Sequence, residues 1–270
     1  MDRKLLAMDL DGTAVCDDYS MGELTKKAIE KARSMGHVIA YVTGRRDIDM
    51  LTMGEEQWYV DYHILNNGGK ILRCKDRKIL YNDLMDAQAC KRLIEHCLHN
   101  DLQLQICSGM TWQVSCMTDM TMEYANELGV IPEIFHSLEE TSWKELEGFM
   151  ATRDWEPVAE YIDQYLPELY YVNSEPECID VMAAGVSKWN GIEILAKRLG
   201  IQHKDIITVG NYYNDIDMLQ HAAVGIAVAN SLEPVKEEAD YVTQNDNNHD
   251  AVAEIIYKML NKEFEVTEHN

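Results

Sequence analysis

Short, unbroken apolar runs alternate with amphipathic stretches at the start of the chain. Residues 4–9 (KLLAMD), 37–43 (HVIAYVT) and 62–66 (YHILN) predict buried strands. Between the first two, LTKKAIEKARSMG sets Leu24, Ala28, Ile29, Ala32 and Met35 at helical spacing, with Gly36 as a C-terminal stop. Strand, helix, strand at this rhythm predicts a parallel sheet with crossover helices. The rhythm resumes late, with a helix over 188–200, a strand over 205–210, a short helix in NDIDMLQHA and a strand over 224–229. Between about 83 and 182 it changes. A helix over 86–100 precedes alternating strands at 103–108 and 111–117 around a Ser-Gly-Met turn. After an irregular stretch come a helix near 154–165 and a strand pair at 168–174 and 177–183. The expectation is an α/β fold in which residues 1–82 and 183–270 form a discontinuous parallel-sheet core and residues 83–182 an inserted α+β module. No internal repeat is evident, and the acidic tail after Leu260 is expected to fray.

Composition changes this picture only by exclusion. With 270 residues, 46% of them hydrophobic and 26% charged, the chain has ample material for a core. The 24 basic against 47 acidic residues leave a net charge of −23. Such a field repels phosphate backbones and anionic lipid, so neither nucleic acid nor a membrane is an expected partner. A small anionic substrate remains compatible if its site supplies cations locally. Seven scattered cysteines show no CxxC pair and no Cys/His metal spacing, as in a cytoplasmic protein with reduced thiols. The N-terminal apolar stretch is too short for a signal peptide and is broken by Asp9. No apolar run approaches the ~20 residues of a membrane span. The number of chains per assembly is left open.

Four polar clusters fall at predicted strand ends or helix starts, where open parallel sheets bind ligands. The first, DLDGT (9–13), places two carboxylates either side of Leu10. A carboxylate there can attack phosphorus, and a second one two residues on can serve as acid and then base. No glutamate stands where a calcium loop would need one. The second, TGR (43–45), offers a hydroxyl and backbone N–H groups to a phosphate oxygen, though Thr43 could equally cap a helix. The third is Lys188, a cation at a helix start, where the helix dipole disfavours it. The fourth, GNYYNDIDM (210–218), supplies the hard oxygens of Asn211, Asn214, Asp215 and Asp217, which suit Mg²⁺ or cap the next helix.

In this order the clusters resemble the haloacid dehalogenase superfamily of aspartate-nucleophile phosphatases, and most of all its Cof-type sugar phosphatases with a large cap between the second and third motifs. The likeness runs over nearly the whole chain, including NNGGKI (66–71) and the late ADYVTQNDNNHDAVAEII. It implies a Rossmann-like core, an α+β cap domain at 83–182, Mg²⁺ as cofactor and a small phosphorylated metabolite, such as a sugar phosphate, as substrate. Residue by residue, it implies that Asp9 attacks phosphorus and ligates Mg²⁺. Asp11 protonates the leaving oxygen and then activates water, its carbonyl touching the metal. Leu10, Thr43, Gly44, Lys188 and Asn214 bind phosphate or balance its charge, while Asn211 ligates the metal and Asp215 supports the metal shell or Lys188. Asp11 also argues against dehalogenation, which needs no protonated leaving group.

Two positions depart from the family pattern. Asn211 stands where a metal-binding aspartate is usual, which implies weaker metal binding and less repulsion of a dianionic phosphate. Trp189 stands where glycine often follows the lysine; its ring either narrows the entrance or packs on the core, and packing is the favoured role. A phosphomutase of the same fold, and a catalytically weak phosphate-binding protein, are the alternatives. Gln105, Trp112, Gln113, Asp180 and Met182 of the inserted module, and Arg45 and Arg46, are further candidates for the substrate site. His249 is expected in a solvated loop.

Overall fold

A computed structural model of the chain describes residues 3–153, 155–175 and 177–264. In chain order the first strands are β1 (Leu5–Met8), β2 (Val38–Val42), β3 (Tyr62–Leu65), β4 (Lys70–Arg73) and β5 (Lys78–Asn82). A second group follows: β6 (Gln105–Ser108), β7 (Thr111–Val114), β8 (Glu133–Ile134), β9 (Gly148–Thr152), β10 (Leu169–Glu175) and β11 (Cys178–Ala183). The chain then returns with β12 (Ile206–Gly210), β13 (Val224–Ala227) and β14 (Tyr241–Val242). The helices are α1 (Glu23–Ser34), α2 (Ala87–His99), α3 (Asp119–Leu128), α4 (Glu156–Tyr165), α5 (Lys188–Leu199), α6 (Ile216–His221), α7 (Glu233–Glu237) and α8 (Ala251–Leu260).

The larger sheet has the order β14-β13-β12-β1-β2-β3-β4-β5. It is parallel from β14 to β3, and β4 and β5 extend it antiparallel. Every residue of β1, β2 and β12 is buried, which is why those strands read as unbroken apolar runs. Alternate side chains serve opposite faces. Leu6, Met8, Ile39 and Tyr41 pack with α1 and α8, while Leu5, Ala7, Val38 and Ala40 pack with α5 and α6. β1 lies between β2, the next strand along the chain, and β12, which arrives nearly two hundred residues later. The crevice beyond the C-terminal end of β1 is therefore flanked by segments distant in sequence.

The smaller sheet, β10-β11-β9-β6-β7-β8, has its own core with α2 and α4. The stretch expected to be irregular in fact contains α3 and β9, and β9 joins the two hairpins. Two features hid these elements: α3 (DMTMEYANEL) buries only Thr121, Ala125 and Leu128, a weak apolar stripe, and β9 (GFMAT) is short and begins with glycine. The β4–β5 hairpin was also unmarked, because β5 has no fully buried residue and so no apolar face to read. The end of the acidic tail, residues 265–270, lies outside the described residues. Among the described residues no helix is long and apolar enough to cross a membrane.

Candidate active site

β1 delivers Asp9 to the crevice. Its backbone N–H donates to the Val209 carbonyl at 2.8 Å, continuing the sheet by one residue. The chain then turns sharply through residues 10–14, and Gly12 (φ +68°) makes the turn possible. A Cβ on Gly12 would sit 2.5 Å from the Asn211 amide. The turn thereby lays the DLDGT segment against the loop after β12.

α5 brings Lys188 in from the opposite side. Ser187 caps the helix by accepting from the Asn190 N–H, and Gly68 gives its first turn room, since a Cβ there would collide with the Ser187 carbonyl. Lys188 is 3% exposed, and its Nζ lies 2.7 Å from Asp9 Oδ1 and 2.6 Å from Asp215 Oδ1. Burial pulls the ammonium down, but Asp215 and Asp9 outweigh it and hold Lys188 above the ordinary lysine range. Asp215 Oδ2 accepts the N–H groups of Asn211 and Tyr212 at 2.8 and 2.9 Å. Both Asp215 oxygens are thus engaged, by the lysine and by its own loop. Asp215 thereby orients Lys188 toward Asp9.

Asp9 Oδ2 has no hydrogen-bond partner among the described residues, and Asp9 lines a cavity of about 830 Å³ between the two sheets. Burial, then repulsion from Asp215, pushes the Asp9 carboxyl up to about 7 despite Lys188. A nearby divalent cation would relieve that excess negative charge. The oxygens available to one are those of Asp9, the Asp11 main chain and the Asn211 amide, a hard donor set that suits Mg²⁺. Among the described residues no three His, Cys, Asp or Glu side chains form a metal cluster.

The remaining clusters meet at the same cavity. Asp11, Thr43, Gly44, Asn211 and Asn214 line it together with Asp9. Thr43 Oγ1 accepts the Arg45 N–H at 3.1 Å, which leaves the hydroxyl proton available to another acceptor. Leu10 has its side chain in the core, so only its backbone remains near Asp9. Asn214 donates to Asn67 (3.3 Å), and Asn67 donates to Asp180 of β11 (3.1 Å), linking the β12 loop to the smaller sheet.

Arg45 forks onto Asp11, with Nε and Nη2 at 2.8 and 2.7 Å from the two carboxylate oxygens. It also lies over the Tyr19 ring, whose hydroxyl donates to Glu127 of α3. Arg46, its neighbour, is not at the substrate side. It is buried in a bidentate pair with Asp49 and reaches Cys107 of β6, where it anchors the smaller sheet. Lys70 does likewise, bridging Asp47 and Glu147.

Of the other candidates, Gln105 and Asp180 line the cavity, and Trp112 is buried beside Gln105. Gln113 turns to Glu133 and the Glu140 carbonyl, and Met182 lies in a separate small crevice. Trp189 is partly buried against the core and has His203 and His221 beside its ring. His249 sits exposed against Asp246. Tyr19 carried no signal in the sequence and is brought to the cavity only by the fold, whereas Asn67, within the NNGGKI segment, links Asn214 to Asp180 beside it.

Fold and cleft are those of a haloacid dehalogenase-like hydrolase. The family model of that description matches residues 6–256, and the chain belongs to this family. It is 27% identical over 262 residues to the 5-amino-6-(5-phospho-D-ribitylamino)uracil phosphatase of Bacillus subtilis (strain 168), covering 95% of each chain. Among solved structures it resembles a sugar phosphatase of subclass IIB (TM-score 0.82, 26% identity, 95% of this chain and 98% of that one). It also resembles a phosphatase of the superfamily from Bacteroides thetaiotaomicron (TM-score 0.82, 25% identity, 97% and 95%). The chain is accordingly an enzyme, a phosphatase of the haloacid dehalogenase type with the Cof-type arrangement of core and cap.

Proposed function

We propose that the enzyme is a Mg²⁺-dependent phosphomonoester hydrolase acting on a small hydroxylated metabolite, such as a sugar phosphate, in the cytoplasm. The observation that carries this reading is the state of Asp9, which lines the cavity: one oxygen is pinned by Lys188 while the other has no hydrogen-bond partner among the described residues. An aligned, buried carboxylate oxygen is a competent nucleophile toward phosphorus.

In this scheme Asp9 Oδ2 attacks phosphorus, the bond from phosphorus to the ester oxygen breaks, and that oxygen takes a proton from Asp11. A water then gives a proton to Asp11 and attacks phosphorus. Inorganic phosphate leaves and the Asp9 carboxylate is restored. Thr43 and the backbone N–H groups of Leu10 and Gly44 hold the phosphoryl oxygens, joined by Asn214, and Lys188 offsets their charge. The cation, held by Asp9, the Asp11 main chain and Asn211, would supply positive charge against the phosphate. Asp11 must leave the Arg45 fork to serve as acid. An entering phosphate competes for the same guanidinium, so substrate arrival itself can release Asp11.

A panel of phosphorylated metabolites assayed with Mg²⁺ tests the reading, with free phosphate and the dephosphorylated alcohol as the expected products. Recovery of an isomeric phosphate would mean transfer within the substrate instead. Asn211→Asp checks the metal assignment. A full negative charge at that position should lower the Mg²⁺ concentration for half-maximal activity by about tenfold, since ligand charge sets affinity at such sites. An unchanged requirement would place Asn211 outside the metal site.

A further inference from the structure

The wall of the cavity opposite Asp9 is one face of the smaller sheet. Gln105 on β6 pairs with Met150 on β9, and Met150 pairs with Asp180 on β11, so the three form one cross-strand row. Thr152 and Cys178 form the next row on the same face, two positions along, and all five residues line the cavity.

Gln105 is 3% exposed. Its Oε1 accepts the Trp112 Nε1–H at 2.8 Å. An indole N–H can only donate, so this contact determines which end of the amide is which. Nε2 therefore points away from Trp112, and it has no hydrogen-bond partner among the described residues. Nε2 is not among the fully buried unpaired side-chain atoms, so this donor keeps some exposure, and the space that Gln105 lines is the substrate cavity.

The charge of the surroundings narrows what can pair with it. Glu123 and Glu127 also line the cavity, as does Asp49, which is paired with Arg46, whereas Arg45 is the one cationic side chain among the described lining residues, and it is already forked onto Asp11. A carboxylate or second phosphate placed near Gln105 would meet this acidic wall without a counter-charge. A neutral oxygen would not.

We infer that Gln105, held by Trp112, donates a hydrogen bond to an uncharged hydroxyl oxygen of the leaving group, and so makes the enzyme selective for hydroxylated phosphomonoesters lacking a second anionic group. The inference rests on the phosphatase reading. Gln105 is a specificity residue in it and takes no part in the bond changes at phosphorus.

The test uses the Mg²⁺-loaded enzyme with the hexose or pentitol phosphate it hydrolyses best, the set of monodeoxy analogues of that substrate, and the corresponding bisphosphate. In the wild type one deoxy analogue should lose about 10- to 30-fold in kcat/KM, mainly through KM, and the bisphosphate should be a poorer substrate than the monophosphate. In Gln105→Met, which keeps the length but removes the donors, the ratio between substrate and that deoxy analogue should collapse to within about threefold. Trp112→Phe, which frees the amide to rotate, should erode the same ratio. A wild type that treats every deoxy analogue alike overturns the inference without recourse to any variant, as does an undiminished ratio in Gln105→Met. Phosphate release without discrimination removes only this inference, whereas no release from any substrate removes the phosphatase reading as well.

Discussion

Asp9→Asn should lower kcat by about ten-thousand-fold or more while the fold is retained, because an amide cannot form the acyl phosphate that the scheme requires. Asparagine keeps the size of the side chain and an oxygen for Lys188, which lies 2.7 Å away, so the lysine stays in place. The same substitution has a second, opposite effect on stability. Without metal, the folded Asp9 carboxyl is raised from 3.8 to about 7, so protons bind it more tightly in the folded state than in the unfolded state. Its contribution to stability is complete below pH 4 and is lost as pH rises through 7. Each unit of that shift corresponds to about 1.4 kcal/mol. In chelator, Asp9→Asn should therefore be roughly 2–4 kcal/mol more stable than the wild type at pH 8, and the advantage should shrink toward pH 5. Thermal melts at the two pH values measure it. Equal melting temperatures at pH 8 would mean that the buried carboxylate is already neutralised by Lys188 alone.

Lys188→Met should be the second most damaging change. The ammonium spans two buried carboxylates at 2.7 and 2.6 Å, and methionine fills its space without its charge. Asp9 and Asp215 would then face each other uncompensated. Breaking a buried pair in this way costs about 3–5 kcal/mol, and the cost should be greatest above pH 7 in chelator, where Asp9 is ionised. Phosphate release should fall about a thousandfold, since the charge offsetting the phosphoryl group is gone. Added Mg²⁺ should restore more of the stability than of the activity, because it can neutralise Asp9 but cannot occupy the lysine position. Lys188→Arg should not rescue the enzyme, because a planar guanidinium does not fit where a compact ammonium touches two oxygens. Stability at pH 8 equal to the wild type would contradict the view that Lys188 balances this pair.

The parallel core was readable because β1, β2 and β12 are covered on both faces, so burial leaves an unbroken apolar signature. The ends of those strands were readable for the same reason: Asp9, Thr43 and Asn211 each follow such a run directly, and polar residues there had few other places to go. Side-chain direction was not readable. Arg45 and Arg46 are adjacent and chemically identical, yet one clamps Asp11 in the cavity and the other is buried against Asp49 and Cys107. Asp215 reads as support for the metal or for Lys188 in a string of Asn and Asp, and only the fold shows its loop turning back to engage both of its oxygens. Gln105 shows the same limit, since the direction of its amide donors becomes visible only once Trp112 orients the amide. In each case the deciding partner is distant in sequence, or the deciding fact is which way a loop turns.

The central claim is that Asp9 bonds transiently to phosphorus. Rapid acid quench of the Mg²⁺-loaded enzyme during turnover, followed by proteolysis and mass spectrometry, tests it directly. The account predicts one phosphoryl group on the peptide holding Asp9, present during turnover, absent after substrate is exhausted, and never formed in Asp9→Asn. Steady hydrolysis with no label at Asp9, or with the label on another residue, would contradict it.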